Sequence, residues 1–273
     1  MSVFSDRACF VLAVLLYGVS AAYSIFLLRR KYREDNRINY LLLAGAFVFH
    51  TTAMLLRGFR LDRCPINNLY EATIFIAWTM TAAYLCAGLW SRLRFLGAFA
   101  APVLFAIGVF ALLSPKDVGA AGRPEFGGGW LTLHVALFAL AYGAFGLSAI
   151  AGLMYLTQER DLKLHKMRAL FSFMPPIQRL ELIIRTLLLT GFLLLTGALA
   201  VSGLFLQQHG HSLTADFKIL WSLFVWAIYL ALILMRWKFW PGGRRFAWGS
   251  IAAFAFVLLT FWGSSLMSPL HRP

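Results

Sequence analysis

Charged residues are scarce in this chain. Only 13% of its 273 residues are charged, about half the share of an ordinary soluble domain, and the mean hydropathy is +0.74. A soluble chain of this length with so little charge would expose too much apolar surface to water. The composition therefore excludes a soluble globular protein and predicts an integral membrane protein with lipid as its surroundings.

Several familiar motifs are also missing. The three cysteines, Cys9, Cys64 and Cys86, are isolated, and the chain has neither a CxxC pair nor CxxCH. This excludes a dithiol oxidoreductase and a chain that itself carries covalent haem. HExxH, GxxxxGK and GxSxG are absent as well, which argues against a zinc protease, a P-loop enzyme and an α/β-hydrolase. No internal repeat is evident from the sequence.

Long apolar runs dominate what is present. A membrane-crossing helix needs about 20 mostly apolar residues, and the first residues, MSVFSDR, lead into such a run without a cleavage pattern. Because helices satisfy their own backbone hydrogen bonds in lipid, the runs predict an all-α bundle, a single integral membrane domain over 1–273. Eight windows qualify, near 8–28, 38–56, 69–90, 95–114, 130–156, 183–206, 217–236 and 246–268. The stretch between the fifth and sixth windows, about 164–182, predicts a bent interfacial connector.

The net charge of +14 is carried by short loops, which is typical of a membrane topology signal and does not favour nucleic-acid binding. Sixteen Lys and Arg residues lie in one set of connections and six in the other. Because Lys and Arg accumulate on the cytoplasmic side, this bias predicts that both termini lie outside the cytoplasm.

The histidines are distributed unevenly across this topology. His165 falls on the cytoplasmic side, whereas the outer side holds His50, His134, His209, His211 and His271. His134 and His271 lie at similar depth on different helices, and two imidazoles from separate helices can bind haem iron from both faces. The alternative is that each is an interfacial histidine wetted by headgroups. Likewise Phe138, Tyr142 and Phe145, on the face of His134, could flank a porphyrin or simply pack against other helices.

Other polar residues near the outer face need partners. His50 lies deep in the second window, where a titratable group is costly, and Glu71 could pair either with His50 or with Arg57. The external arginines Arg57, Arg60, Arg63 and Arg123 suit carboxylates such as haem propionates. His209 and His211 could bind a metal, although an HxH in a loop is more often only a loop.

Five strings follow one another in the chain, namely CPINNLYEATIFIAW, WLTLHVALFALAYGAFGLSAIAGLMYL, MPPIQRLELIIR, TGFLLLTGALAVSG and FWGSSLMSPLH. In this order they resemble the cytochrome c assembly protein family, whose integral membrane members include CcsA-like and HemX-like proteins. The likeness runs from about residue 38 to the C-terminus. It implies that His134 and His271 are paired axial ligands of a haem, and that His50 is one of a second histidine pair within the membrane.

The chain departs from the family pattern in two places. Where haem-handling members have a tryptophan-rich external segment, this chain reads LFLQQHGHSLTADFKILW, in which only Asp216, Lys218 and Trp221 match. Leu234 stands where the resemblance expects the partner of His50. HemX-like members, which also lack the tryptophan-rich segment, are the more similar ones.

These features together predict a multi-pass protein of the inner (cytoplasmic) membrane that binds haem b non-covalently at its outer face and assists cytochrome c-type biogenesis. Its ligands would be His134 and His271, with His50, Arg57, Arg123, Asp216, Lys218 and Trp221 as further haem contacts. The expected partners are haem, apocytochrome c and other maturation proteins, and thioether formation would occur on another chain. The alternatives are a haem-free regulatory or scaffolding membrane protein and, ranked last, a small-solute or ion transporter using His50 and Glu71.

Overall fold

Eight α-helices account for nearly all of the chain that the structure describes. The computed structural model describes residues 5–30, 37–61, 69–89, 91–113, 129–163, 176–208, 217–238 and 243–267. The helices are α1 Asp6–Arg30, α2 Arg37–Leu61, α3 Leu69–Gly88, α4 Gly97–Leu113, α5 Gly129–Lys163, α6 Ile177–Gln208, α7 Phe217–Lys238 and α8 Gly243–Met267, with a 3-10 turn at Ser91–Leu96 before α4. Each helix overlaps one of the eight predicted windows, so the all-α fold is confirmed. The orientation of the termini stays a prediction.

Most of these helices are long and apolar enough to cross a membrane. Within the described residues, six stretches meet that requirement, in α1, α2, α4 with its preceding turn, α5, α6 and α7. α3 contributes a shorter apolar stretch, Thr73–Gly88, and α8 is 25 residues long. The structure is thus that of a helical membrane protein.

The start of α6 differs from the prediction. The connector expected at about 164–182 lies partly outside the described residues, but its last part is regular helix. The Pro176 carbonyl accepts hydrogen bonds from the N–H groups of Arg179 (2.8 Å) and Leu180 (3.2 Å). Proline is well suited to a helix N-terminus, where its missing N–H is not needed. α6 therefore begins earlier than its apolar run alone indicated.

The helices pack as two compact units. The first unit contains α1 to α4 together with the end of α5 from Thr157 and the end of α8 from Leu259; the second contains the rest of α5, α6, α7 and α8 to Leu258. That the whole of 1–273 is one domain stays a prediction.

In the first unit, α1 packs against both α2 and α4. Small residues allow the close approach to α4. A Cβ atom on Gly108 would lie 2.7 Å from Val14 Cγ2, and one on Gly18 would lie 2.9 Å from the Phe105 ring. Membrane helices use such small residues to bring their backbones together, since lipid supplies no hydrophobic force between them.

In the second unit, α5 is the buried helix. Every residue from 141 to 152 is buried, which is typical of a helix with neighbours on all sides. Ser148 Oγ donates to the Ile184 carbonyl of α6 (3.1 Å) and lies 2.9 Å from Ser250 Oγ of α8. The Phe145 ring stacks on Tyr229 of α7, with centroids 3.6 Å apart. α5 is therefore the element against which a site in this unit is positioned.

Candidate functional site

His134 lies in the second turn of α5, next to α6. It is half-buried, and its Nδ1 lies 2.9 Å from the backbone carbonyl oxygen of Ala198. A carbonyl can only accept a hydrogen bond, so Nδ1 must carry the proton. The other ring nitrogen, Nε2, is left with its lone pair. This is the arrangement of a metal-binding histidine, in which a hydrogen bond from the second nitrogen fixes the tautomer and the ring orientation.

The close contact of α5 with α6 brings this carbonyl within reach. A Cβ atom on Gly191 of α6 would lie 2.7 Å from the Phe145 ring and 3.1 Å from the Ala141 carbonyl. Only glycine permits the two helices to approach this closely at that level. The same packing places Ala198, two turns further along α6, beside His134.

Three aromatic residues follow His134 along α5. Phe138 lies 5.7 Å from the imidazole, between ring centroids, and Tyr142 stacks on Phe138 at 4.7 Å. Phe138 is half-buried, whereas Tyr142 and Phe145 are buried and Phe145 stacks on Tyr229. The sequence allowed these residues either to flank a porphyrin or to pack against other helices. Phe145 and Tyr142 pack against other side chains, and of the three only Phe138 lies directly beside the histidine, where it forms an apolar wall.

The other residues expected at the outer face of this site are only partly within the described structure. His271, Arg123 and Asp216 lie outside the described residues, and so do His209 and His211. Lys218 lies in the first turn of α7, but the structure describes only its backbone. Trp221 packs against Phe224 and Phe256, at centroid distances of 5.7 and 5.8 Å, and its buried Nε1 has no hydrogen-bond partner among the described residues.

His50 belongs to the first unit and is fully buried there. Its Nδ1 lies 3.0 Å from the Tyr17 hydroxyl, which in turn lies 2.9 Å from Thr81 Oγ1. The Phe10 ring covers the imidazole at a centroid distance of 5.0 Å. Leu234, where the resemblance expected a second histidine, is 47% exposed. The partner of His50 is thus a tyrosine of α1 that the sequence pattern did not single out.

Arg57 is the centre of a buried ion-pair cluster. Its guanidinium binds Glu71 at 2.8 Å and Asp6 at 3.3 Å, and Asp6 also binds Arg60 at 3.1 Å. The side chains of Arg57, Asp6 and Glu71 are at most 5% exposed. Of the two partners considered for Glu71, the structure has Arg57. Since two carboxylates already neutralise Arg57, its expected contact with a haem propionate stays a prediction.

Two residues of these sites, Asp6 and Ala198, were not predicted from the sequence. Asp6 is the acidic residue in the first turn of α1, and a carboxylate at the edge of an apolar run was a sign that an arginine partner was needed. The Ala198 carbonyl gave no signal, because any residue supplies a backbone carbonyl. Within the described part of the chain, no three His, Cys, Asp or Glu residues converge to hold a metal ion, so His134 would act as a single donor from this part of the chain.

Known proteins resemble this chain over most of its length. The family model for cytochrome c assembly proteins matches residues 66–271. Among individual relatives, the cytochrome c biogenesis protein CcsA of Synechococcus sp. (strain JA-2-3B'a(2-13)) is 38% identical over 104 residues, which are 37% of this chain and 30% of the relative. The CcsA of Trichormus variabilis is 30% identical over 164 residues, 57% of this chain and 44% of the relative. That of Gloeobacter violaceus is 27% identical over 162 residues, 57% and 46%.

The matched stretches cover less than half the length of these CcsA relatives. The family match nevertheless extends over three quarters of this chain, from the start of α3 to beyond the end of α8. The chain therefore belongs to the cytochrome c assembly protein family.

Proposed function

We propose that this protein binds haem at the outer face of the membrane, through His134, and assists cytochrome c biogenesis. The observation that carries the proposal is the hydrogen bond from His134 Nδ1 to the Ala198 carbonyl. It holds the imidazole in the tautomer whose Nε2 lone pair is available to iron.

The surroundings of His134 suit a porphyrin better than a hydrated ion. The imidazole is half-buried near the outer end of α5, and Phe138 offers an apolar ring beside it. Haem iron needs one or two axial imidazoles, and the macrocycle needs apolar walls. A bound haem would supply the iron centre; the chain itself orients His134 and keeps water from one side of it.

The second axial ligand is proposed to be His271. His271 follows α8 by a few residues in the sequence and lies outside the described structure, and the loop charges predict that this end of the chain is on the outer side of the membrane. Trp221, Lys218, Asp216 and Arg123 are proposed as further contacts of the macrocycle and its propionates, with haem b bound without covalent attachment. His50 is proposed as a further haem contact, for which its hydrogen bond to Tyr17 would have to break.

The role in biogenesis is proposed to be accessory. The relatives are cytochrome c biogenesis proteins by name, which supports the same process for this chain, in the inner membrane and together with apocytochrome c and other maturation proteins. Because the sequence lacks the tryptophan-rich segment of the haem-handling members, the thioether-forming step is proposed to occur on another chain.

A hemin titration of the protein purified in detergent tests the proposal. We expect the parent protein to bind hemin with a sharp Soret band, and His134→Ala and His271→Ala each to weaken binding at least tenfold. His209→Ala, which removes a histidine from the predicted outer loop, is the matched control and should bind hemin as the parent does. A parent that binds no hemin would leave the haem-free regulatory function as the better account, and equal losses in all three variants would contradict the assignment of His134.

A further inference from the structure

A tryptophan on α7 joins that helix to α6 close to the Ala198 carbonyl. Trp226 Nε1 donates to Thr196 Oγ1 (3.0 Å), and the Trp226 ring stacks on Phe192 with centroids 5.4 Å apart. The Thr196 hydroxyl donates to the Phe192 carbonyl of its own helix (2.8 Å). We call these three residues the α6–α7 clasp. It fixes both the height and the rotation of α6 against α7.

The first unit contains the same arrangement between α2 and α3. Trp78 Nε1 donates to Thr51 Oγ1 (2.9 Å), the Trp78 ring stacks on Phe47 at 5.5 Å, and the Thr51 hydroxyl donates to the Phe47 carbonyl (2.7 Å). These residues form the α2–α3 clasp. The same contact pattern therefore occurs in both units, each time made by a Phe and a Thr one helical turn apart and a Trp on the following helix.

The likeness extends along the helices without gaps. DRACFVLAVLLYGVSA in α1 and HVALFALAYGAFGLSA in α5 are identical at seven of sixteen positions, and LLAGAFVFHTTAMLLRG in α2 matches LLLTGFLLLTGALAVSG in α6 at six of seventeen. The corresponding serines also bond to corresponding residues, through different atoms: Ser20 of α1 donates to the side-chain oxygen of Asn39 in α2, and Ser148 of α5 donates to the backbone carbonyl of Ile184 in α6. Hydropathy does not show this likeness, because all four helices are apolar along most of their length.

The two copies differ at the position of the histidine. In this register His134 corresponds to Asp6, and Ala198 corresponds to Ala53. Asp6 is bound by Arg57 and Arg60, whereas His134 is bound by the Ala198 carbonyl. The clasp is therefore common to both units, but only the second unit has a histidine at this position of its first helix; the imidazole beside the α2–α3 clasp, His50, lies on α2 and contacts Tyr17.

We propose that Trp226, Thr196 and Phe192 are positioning residues for His134. The α2–α3 clasp makes the same contacts in the first unit, where they position no haem ligand. Ala198 stands two positions after Thr196 in the same turn of α6, so the clasp that sets the rotation of α6 also sets where the Ala198 carbonyl points. That carbonyl in turn holds the proton on His134 Nδ1. The role as a haem ligand rests on the function proposed above; the fixed tautomer does not.

The test compares matched variants of the two clasps in the full chain. Thr196→Val and Trp226→Phe remove the hydrogen bond in the second unit, and Thr51→Val and Trp78→Phe remove it in the first. Hydrogen bonds between membrane helices are individually modest, so all four variants should fold, with similar decreases in Tm. The tautomer of His134 is read by NMR of the protein with ¹⁵N-labelled histidine, the signal being assigned with His134→Ala.

We expect the parent, Thr51→Val and Trp78→Phe to show His134 with the proton on Nδ1. Thr196→Val and Trp226→Phe should show a mixture of tautomers and bind hemin several-fold more weakly, and Thr196→Ser, which keeps the hydroxyl, should restore both properties. An unchanged tautomer in Thr196→Val, or the same change in Thr51→Val, would overturn the proposal. A parent that binds no hemin but shows the expected tautomers would refute the haem function alone.

Discussion

At the scale of single residues, the buried cluster of Arg57, Asp6 and Glu71 ties α1, α2 and α3 together at one end of the first unit. A buried charge without its partner is costly, since neither water nor a second ion compensates it. The main role of the cluster is therefore to stabilise the fold. Its exposed member, Arg60, has a side chain that is 55% accessible.

Glu71→Gln removes one of the two carboxylates that bind Arg57 and should destabilise the protein by about 3 to 5 kcal/mol. For a chain of this size that is a decrease in Tm on the order of 10 °C, measured by thermal unfolding in detergent. Lys163→Gln, which breaks the pair with Glu159 at the end of α5, is the control. Exposed pairs of that kind contribute under about 1 kcal/mol, so Tm should hardly change. Equal shifts in the two variants would mean that the buried cluster has no special weight.

Some partners of single residues could be predicted from the sequence and others could not. Glu71 and Arg57 were recognised as candidate partners from their depth alone, because the cost of burying a charge demands a pair. Tyr17 was not recognised as the partner of His50, since a tyrosine in an apolar run looks like any other core residue. The acceptor of His134 is a backbone carbonyl, and no side-chain pattern reveals it.

At the scale of helices, Gly191 sets the distance between α5 and α6, and so the distance from His134 to Ala198. Gly191→Ala would place a Cβ atom 2.7 Å from the Phe145 ring and 3.1 Å from the Ala141 carbonyl. Because the carbonyl belongs to a buried backbone that cannot move aside, we expect a loss of about 1 to 3 kcal/mol in the free energy of unfolding, seen as a lower Tm.

Gly203→Ala is the control for that prediction. It lies on the same helix, and nothing lies within 4 Å of the Cβ atom it would gain. Both variants gain the same helix propensity from alanine, so the difference between them reports the clash. If Gly203→Ala lowers Tm as much as Gly191→Ala does, the close approach of α5 and α6 is not what the glycine provides.

Apolar runs alone located the helices. All eight windows fall on observed helices, because a bilayer requires long uninterrupted apolar stretches and the loops between them concentrate the charge. The start of α6 was missed, since its first turns include Arg179 and Glu181 and read as polar. The sequence did not predict the two clasps, because their contacts depend on which side of each helix faces its neighbour. Uniformly apolar helices do not show which side that is.

At the scale of the whole molecule, loop charges predict that the outer ends of α5 and α8 and both termini lie on the same side of the membrane, away from the cytoplasm. A reporter that is active only outside the cytoplasm, fused after Pro273, should therefore be active. The same reporter inserted in the segment between α5 and α6 should be silent. Activity of the internal fusion together with silence of the terminal one would place His134 on the cytoplasmic side and contradict an outer haem site.

Whether His134 offers Nε2 to haem iron is tested most directly by the electron paramagnetic resonance spectrum of the hemin-loaded protein. We expect low-spin iron in the parent, the state given by two axial imidazoles. We expect high-spin iron in His134→Gly, and recovery of the low-spin signal when free imidazole is added to fill the space left by the side chain. Low-spin iron in His134→Gly without added imidazole would show that His134 is not a ligand, and would contradict the account.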